Sequence, residues 1–107
     1  MASYQVEVTT AARKELRRAP GHLRARILQL LHALEYDFSP PGSRQLDLTQ
    51  AVDALTPGMS FWRARLDTWR VIYVVDTVEK VISILAIRQR PPYQYEDLDT
   101  LSQPRRR

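Results

Sequence analysis

Apolar and polar positions change their spacing several times along the chain, and each change marks a different element. Tyr4, Val6 and Val8 alternate with Gln5 and Glu7, the period of two expected of a short half-buried strand, and Thr9-Thr10 supplies a helix N-cap. Ala11 to Ala19 then reads as a helix that Pro20-Gly21 stops. From His22 to Asp37 the apolar residues Leu23, Ile27, Leu30, Leu31, Leu34 and Phe38 recur at three and four, one stripe facing a core, while Arg24, Arg26, Gln29 and Glu35 fall away from it. Ser39-Pro40-Pro41-Gly42 breaks this second helix, because proline removes a backbone donor and fixes φ. Between Ser43 and Ser60 the signal is weak: Leu46 and Leu48 alternate as in a short extended piece, and Thr56-Pro57-Gly58 is a turn. After it the period returns to two. Phe61 to Leu66, Trp69 to Asp76 and Val81 to Ile87 read as three consecutive strands joined by the turns Asp67-Thr68 and Thr77 to Lys80. Arg88 to Tyr95 leaves the sheet at Pro91-Pro92, and an acidic patch of Glu96, Asp97 and Asp99 precedes a basic tip. The order is β-α-α-β-β-β, an α+β layout with a helical hairpin packed on one face of a small, mainly antiparallel sheet.

Composition narrows the class. A chain of 107 residues with 44% hydrophobic positions supports a single domain over residues 1–107, with 98–107 as a flexible tail. It is too apolar for a disordered or low-complexity protein, and no apolar run approaches the about 20 residues of a membrane helix. The residues Met1-Ala2-Ser3-Tyr4 lack the layout of a secretory signal, and the absence of cysteine removes disulfides and thiol catalysis, so a cytoplasmic protein is expected. No cofactor is implied. His22 and His32 lie ten apart on a helix without carboxylates at metal-ligand spacing, and surface or capping roles suit both.

Charge adds more through its distribution than its total. The net charge is +4, but three of the basic residues are Arg105, Arg106 and Arg107, which leaves the body close to neutral. Within Phe61 to Leu66 the period of two places Arg63 and Arg65 on one face and Trp62, Ala64 and Leu66 on the other. If the apolar set meets the helices, both guanidinium groups stand on the open side. Arg70 begins the next strand just across the Asp67-Thr68 turn, near Arg65, and Arg88 and Arg90 close the last strand. Tyr93 and Tyr95 follow on a proline-stiffened segment. Up to five arginines and two phenols thus converge on one surface, and like charges gathered this way suit an anionic ligand. An ordinary solvated sheet face is the bland alternative for any one of them. Trp62 has core parity, whereas Trp69 is open to either core packing or base stacking. The run Arg13, Lys14, Arg17 and Arg18, joined by Arg24 and Arg26, faces one acid, Glu15, and reads either as a solvated helical face or as a second patch for nucleic-acid backbone.

The stretch Phe61-Trp62-Arg63-Ala64-Arg65-Leu66-Asp67-Thr68-Trp69-Arg70-Val71-Ile72-Tyr73-Val74-Val75-Asp76, followed by Val81 to Ile87 and Arg88-Gln89-Arg90, resembles the core signature of the RelE/ParE family of bacterial type II toxins. The upstream strand-helix-helix order and Pro41-Gly42 with Leu46 match it too, so the resemblance covers nearly the whole chain. It implies a RelE-like fold and one of two activities. RelE-like members are endoribonucleases that cut mRNA in the ribosomal A site, and ParE-like members inhibit DNA gyrase. By position Arg63 and Arg65 match the paired basic residues of the RelE-like strand, Arg70 the arginine before the apolar-apolar-tyrosine, and Arg90 the arginine after the last strand. Tyr93 and Tyr95 bracket the position of the tyrosine.

The ribonuclease branch implies metal-independent attack by the RNA 2′-hydroxyl. Arginine keeps its proton at ordinary pH, so Arg63, Arg65, Arg70 and Arg90 would clamp phosphate and stabilise the charge of the transition state. Nearby cations favour a phenolate, which would make Tyr93 or Tyr95 a usable general base. Arg88, Trp69, Arg13 and Arg17 are the candidate RNA-binding residues around them. The resemblance further implies a cognate antitoxin, mRNA and the ribosome as partners, operator DNA only through the antitoxin complex, and no membrane. A gyrase inhibitor and a degenerate member that only binds antitoxin are the alternatives.

Overall fold

The computed structural model describes residues 3–46 and 57–89. Its elements are β1 (Gln5–Val8), α1 (Thr10–Arg18), α2 (Gly21–Leu34), β2 (Ser43–Leu46), β3 (Met59–Leu66), β4 (Trp69–Asp76) and β5 (Val81–Gln89). Thr9 decides where the first strand becomes a helix. Its Oγ1 accepts from Ala12 N at 3.2 Å as an N-cap, and both its N–H and its hydroxyl donate to Ile84 O, at 3.1 and 2.9 Å. At the other end of α1, Arg24 Nη1 donates to Ala19 O and Arg17 O at 2.5 and 3.4 Å, taking carbonyls that the helix leaves unbonded.

The strands form one five-stranded sheet in the order β1-β5-β4-β3-β2, with β1 parallel to β5 and every other pair antiparallel. The α+β layout and the helical pair over one sheet face agree with the pattern of the sequence. The sheet has one strand more than the pattern counts. Ser43–Leu46 pairs with β3, although only part of this segment alternates; four residues acquire strand character from their partner rather than from propensity. Helix α2 stops at Leu34, three residues before Asp37. Glu35 N and Tyr36 N bond to the carbonyls of His32 and Ala33 at a tighter spacing, and Asp37 Oδ1 accepts from Ser39 N at 2.9 Å, so a side chain competes with the helical backbone there.

The core lies between helices and sheet. Leu23, Ile27, Leu30 and Leu34 of α2 and Ala12 of α1 pack on Ala64, Val71, Tyr73, Val75, Ile82, Ile84 and Ile87. Burying each large apolar side chain contributes about 1.5–3 kcal/mol. Tyr73 is fully buried and donates its hydroxyl to Phe38 O at 2.8 Å; burial pushes its pKa up to about 12. Among the described residues no helix is long and apolar enough to cross a membrane.

Candidate nucleic-acid interface

The face turned away from the helices is set by strand register. Arg65 of β3 lies opposite Arg70 of β4, and Arg70 lies opposite Arg88 of β5, so three arginines form one row across three strands. The next row is Arg44, Arg63, Ile72 and Ala86, and the one after it Leu46, Phe61, Val74 and Ser83. Directly opposed residues have Cα atoms about 4.5–5.5 Å apart and project to the same side. This face therefore grades from a cationic end to an apolar middle, where Ile72 and Ala86 are buried against Leu46 and Leu85.

Arg88 reaches this row because of a β-bulge. Tyr73 pairs with Ile84 and Ile72 with Ala86, which makes Leu85 an extra residue. Strict alternation from Ile82 and Ile84, both in the main core, would send Arg88 to the helical face. The extra residue returns Ile87 to the core and turns Ala86 and Arg88 to the side away from the helices.

The row members differ in environment. Arg65 is exposed at the sheet end, where its backbone N–H donates to Gly42 O at 3.0 Å. Arg70 is 5% exposed, its Nη1 donating to Trp69 O at 3.1 Å and to Asp67 O at 3.3 Å, while its buried Nε finds no acceptor. No carboxylate pairs with Arg70 among the described residues. Holding a buried cation without a counter-charge is costly, which makes this position favourable to an anion. Arg63 is likewise 5% exposed. Half-buried Arg88 donates from Nε to Glu15 Oε2 at 3.0 Å, and Glu15 Oε1 accepts from Ile87 N at 2.7 Å.

Other candidates from the sequence fall elsewhere. Trp69 lies on the helical face and packs against the core, since its parity is that of Val71 and Tyr73; it does not share a face with the row, and base stacking there has no support. Trp62 also packs on the core and donates from Nε1 to Ser60 Oγ at 2.8 Å. Arg13 and Arg17 are exposed on α1, with Arg13 Nη2 donating to Val8 O at 3.4 Å. Arg26 pairs with Asp67, the residue at φ 55 in the β3–β4 turn. His32 is exposed, 3.7 Å from Glu35. Arg90, Tyr93, Tyr95 and the tail 98–107 lie outside the described residues. Two residues near the site were not singled out from the sequence as site residues. Arg44 lies beside Arg63 through the pairing of β2, and Glu15 reaches Arg88 across 73 positions, so neither carried a local signal.

The family model described as the ParE toxin of the type II toxin-antitoxin system, parDE, matches residues 6–91. No curated protein matches the chain significantly. Among solved structures, the archaeal RelE–RelB complex from Pyrococcus horikoshii contains a chain 30% identical to this one, with 85% of this chain and 99% of that chain covered and a TM-score of 0.72. The toxin-antitoxin complex RelBE2 from Mycobacterium tuberculosis shows 24% identity over 82% of this chain and 99% of that chain, with a TM-score of 0.63. YoeB from Staphylococcus aureus shows 17% identity, covers 88% of this chain and 100% of that chain, and has a TM-score of 0.58. The last two share the fold. The chain belongs to the RelE/ParE family and is a toxin of a type II toxin-antitoxin system.

Proposed function

We propose that this toxin is a RelE-like endoribonuclease that cuts mRNA in the ribosomal A site by metal-independent attack of the 2′-hydroxyl, and that a cognate antitoxin neutralises it. The observation that supports this reading is the cross-strand row Arg65-Arg70-Arg88 beside Arg63 and Arg44, five arginines in two rows that hold no acidic residue. Arg65 and Arg88 would take the phosphates beside the scissile bond. Arg70, already oriented by two carbonyls, would donate to the oxygens on which charge builds in the transition state. Arg63 would add to the cationic set, Arg90 is assigned to it by its match to the family pattern alone, and Tyr93 or Tyr95 would act as general base, its phenolate favoured by guanidinium groups. The same face, cationic at one end and apolar at Leu46, Ile72 and Ala86, suits an antitoxin segment with acidic and aliphatic side chains, so inhibition would follow from covering the row. Operator DNA would be bound only by the assembled pair.

Expression without antitoxin should arrest growth with mRNA cut inside codons, and purified toxin should cut mRNA on programmed ribosomes. Intact mRNA in arrested cells and on ribosomes would refute the proposal. The match to the ParE family model favours a second reading, inhibition of DNA gyrase. Loss of supercoiling by purified gyrase, with intact mRNA, is its mark.

A further inference from the structure

Glu15 is the one acidic residue of α1, and both of its oxygens are engaged, Oε1 by Ile87 N and Oε2 by Arg88 Nε. These bonds fix how the helix lies. Thr9 sits against Ile84 and Glu15 against Ile87, six residues further along the helix and three along the strand. At roughly 1.5 Å per helical residue and 3.3 Å per strand residue, both advance by about 9–10 Å. Helix α1 therefore runs beside β5 in the same direction, in the lane that β1 leaves after Val8. Buried Ala12 and Ala19 mark its core side. At about 100° per residue Glu15 then lies on one flank, toward Arg88, and Arg13 and Arg17 lie on the other. Arg18, three residues beyond Glu15, continues the Glu15 flank toward the end of β5, and Lys14 stands one turn back from Arg18. Both are exposed, and neither forms an ion pair among the described residues.

We propose that the arginine row continues round the β5 edge onto α1, where Arg18 and Lys14 bind the phosphates of single-stranded RNA flanking the reacting nucleotides. This rests on the ribonuclease reading. The contacts are to backbone and carry no base preference. Charge complementarity favours RNA as the occupant, because Glu15 is already taken up by Arg88 and the flank is otherwise cationic. A protein partner would need apolar anchors, and the exposed large apolar side chains among the described residues, Leu28, Tyr36 and Val78, all lie outside α1.

The test is anisotropy titration of 2′-O-methyl RNA, a 3-mer and a 12-mer that cannot be cut, between 50 and 200 mM KCl. The K14Q/R18Q variant keeps good helix formers at exposed positions, and circular dichroism checks its fold. For the 12-mer its slope of log affinity against log salt should fall by about 1.4, two phosphate contacts at about 0.7 each on a single strand. Across that salt range the wild type then loses about sevenfold more affinity than the variant. The 3-mer should show no such difference. R13Q/R17Q removes the same charge from the opposite flank and should shift the 12-mer slope by less than half as much. Equal effects of the two pairs, an unchanged K14Q/R18Q slope, or loss of antitoxin affinity without loss of RNA affinity would each overturn the path. If wild-type toxin cuts mRNA on ribosomes while the slopes are unchanged, the path alone fails. If it neither cuts nor binds RNA, the ribonuclease reading fails with it.

Discussion

Replacing Arg70 by methionine should leave stability nearly unchanged and cut mRNA cleavage severely. Arg70 carries a buried charge with an unfilled Nε, and leaving such a donor buried costs about 1–3 kcal/mol. Its cross-strand neighbours are Arg65 and Arg88. Arg88 is compensated by Glu15, so the like charge that counts is that of Arg65, worth at most about 1 kcal/mol at the exposed sheet end. Removing the guanidinium relieves roughly 1–4 kcal/mol in all. Against this stand the Nη1 bonds to Trp69 O and Asp67 O, at 3.1 and 3.3 Å, which are long for their type. Two charge-assisted bonds at the weak end of the range are worth about 3 kcal/mol together. Methionine refills the volume of the aliphatic stem, so the two sides nearly cancel and stability should stay within about 2 kcal/mol of the wild type. Loss of a preorganised donor to the transition state lowers the rate by about 10²–10³. Urea or thermal unfolding reads the first effect and single-turnover cleavage on programmed ribosomes the second. A variant less stable than wild type by more than about 2 kcal/mol, or one that cuts within tenfold of the wild-type rate, would show that Arg70 serves the hairpin and not the substrate.

Three further outcomes are expected. The folded state holds the Tyr73 phenol proton up to about pH 12, whereas the unfolded chain releases it near its ordinary value of 10, so the folded state binds more protons in that window. The stabilisation is therefore complete below pH 10 and is lost as pH rises to 12, by at most about 2–3 kcal/mol. Tyr73→Phe should cost about 1–3 kcal/mol at pH 8 by leaving Phe38 O without its donor, and its disadvantage should shrink between pH 10 and 12; a gap that ignores pH contradicts the assignment. A Cβ on Gly58, which has φ +93, would stand 2.7 Å from Val78 Cγ2, so Gly58→Ala should lower stability by about 2–3 kcal/mol in urea unfolding. Adding Val78→Ala should recover only the part due to the clash. Thr9→Ala removes the N-cap acceptor and the hydroxyl bond to Ile84 O and should cost about 1–2 kcal/mol, mainly as loss of α1; an unchanged midpoint would show that the backbone bond alone seats the helix.

Much of the fold was legible because it depends on local regularities. Leu23, Ile27, Leu30 and Leu34 recur at the spacing of one helical face and all are buried; Trp62, Ala64 and Leu66 share a strand face that meets the same core. The parity of Arg63 and Arg65 followed from the same rule. Arg70 lies close to Arg65 because a two-residue turn leaves little room for another register. Strand β2 was only half legible, since four residues have no period long enough to count. Trp69 was ambiguous for a related reason: β4 is apolar on both faces, with Val71 in one cluster and Ile72 in the other, so alternation alone does not say which face the helices cover.

The amino-acid order by itself determined the helical hairpin, the β3–β4–β5 meander and the presence of arginines at the ends of three strands, because capping, proline breaks and side-chain period act over a few residues. Only the tertiary structure decided that Arg88 joins Arg65 and Arg70. One extra residue at Leu85 reverses the faces of everything after it, and a bulge arises from the pairing of two strands rather than from either alone. The same holds for Glu15. Its two bonds to the β5 edge depend on α1 occupying the lane beyond β1, a placement no local pattern encodes.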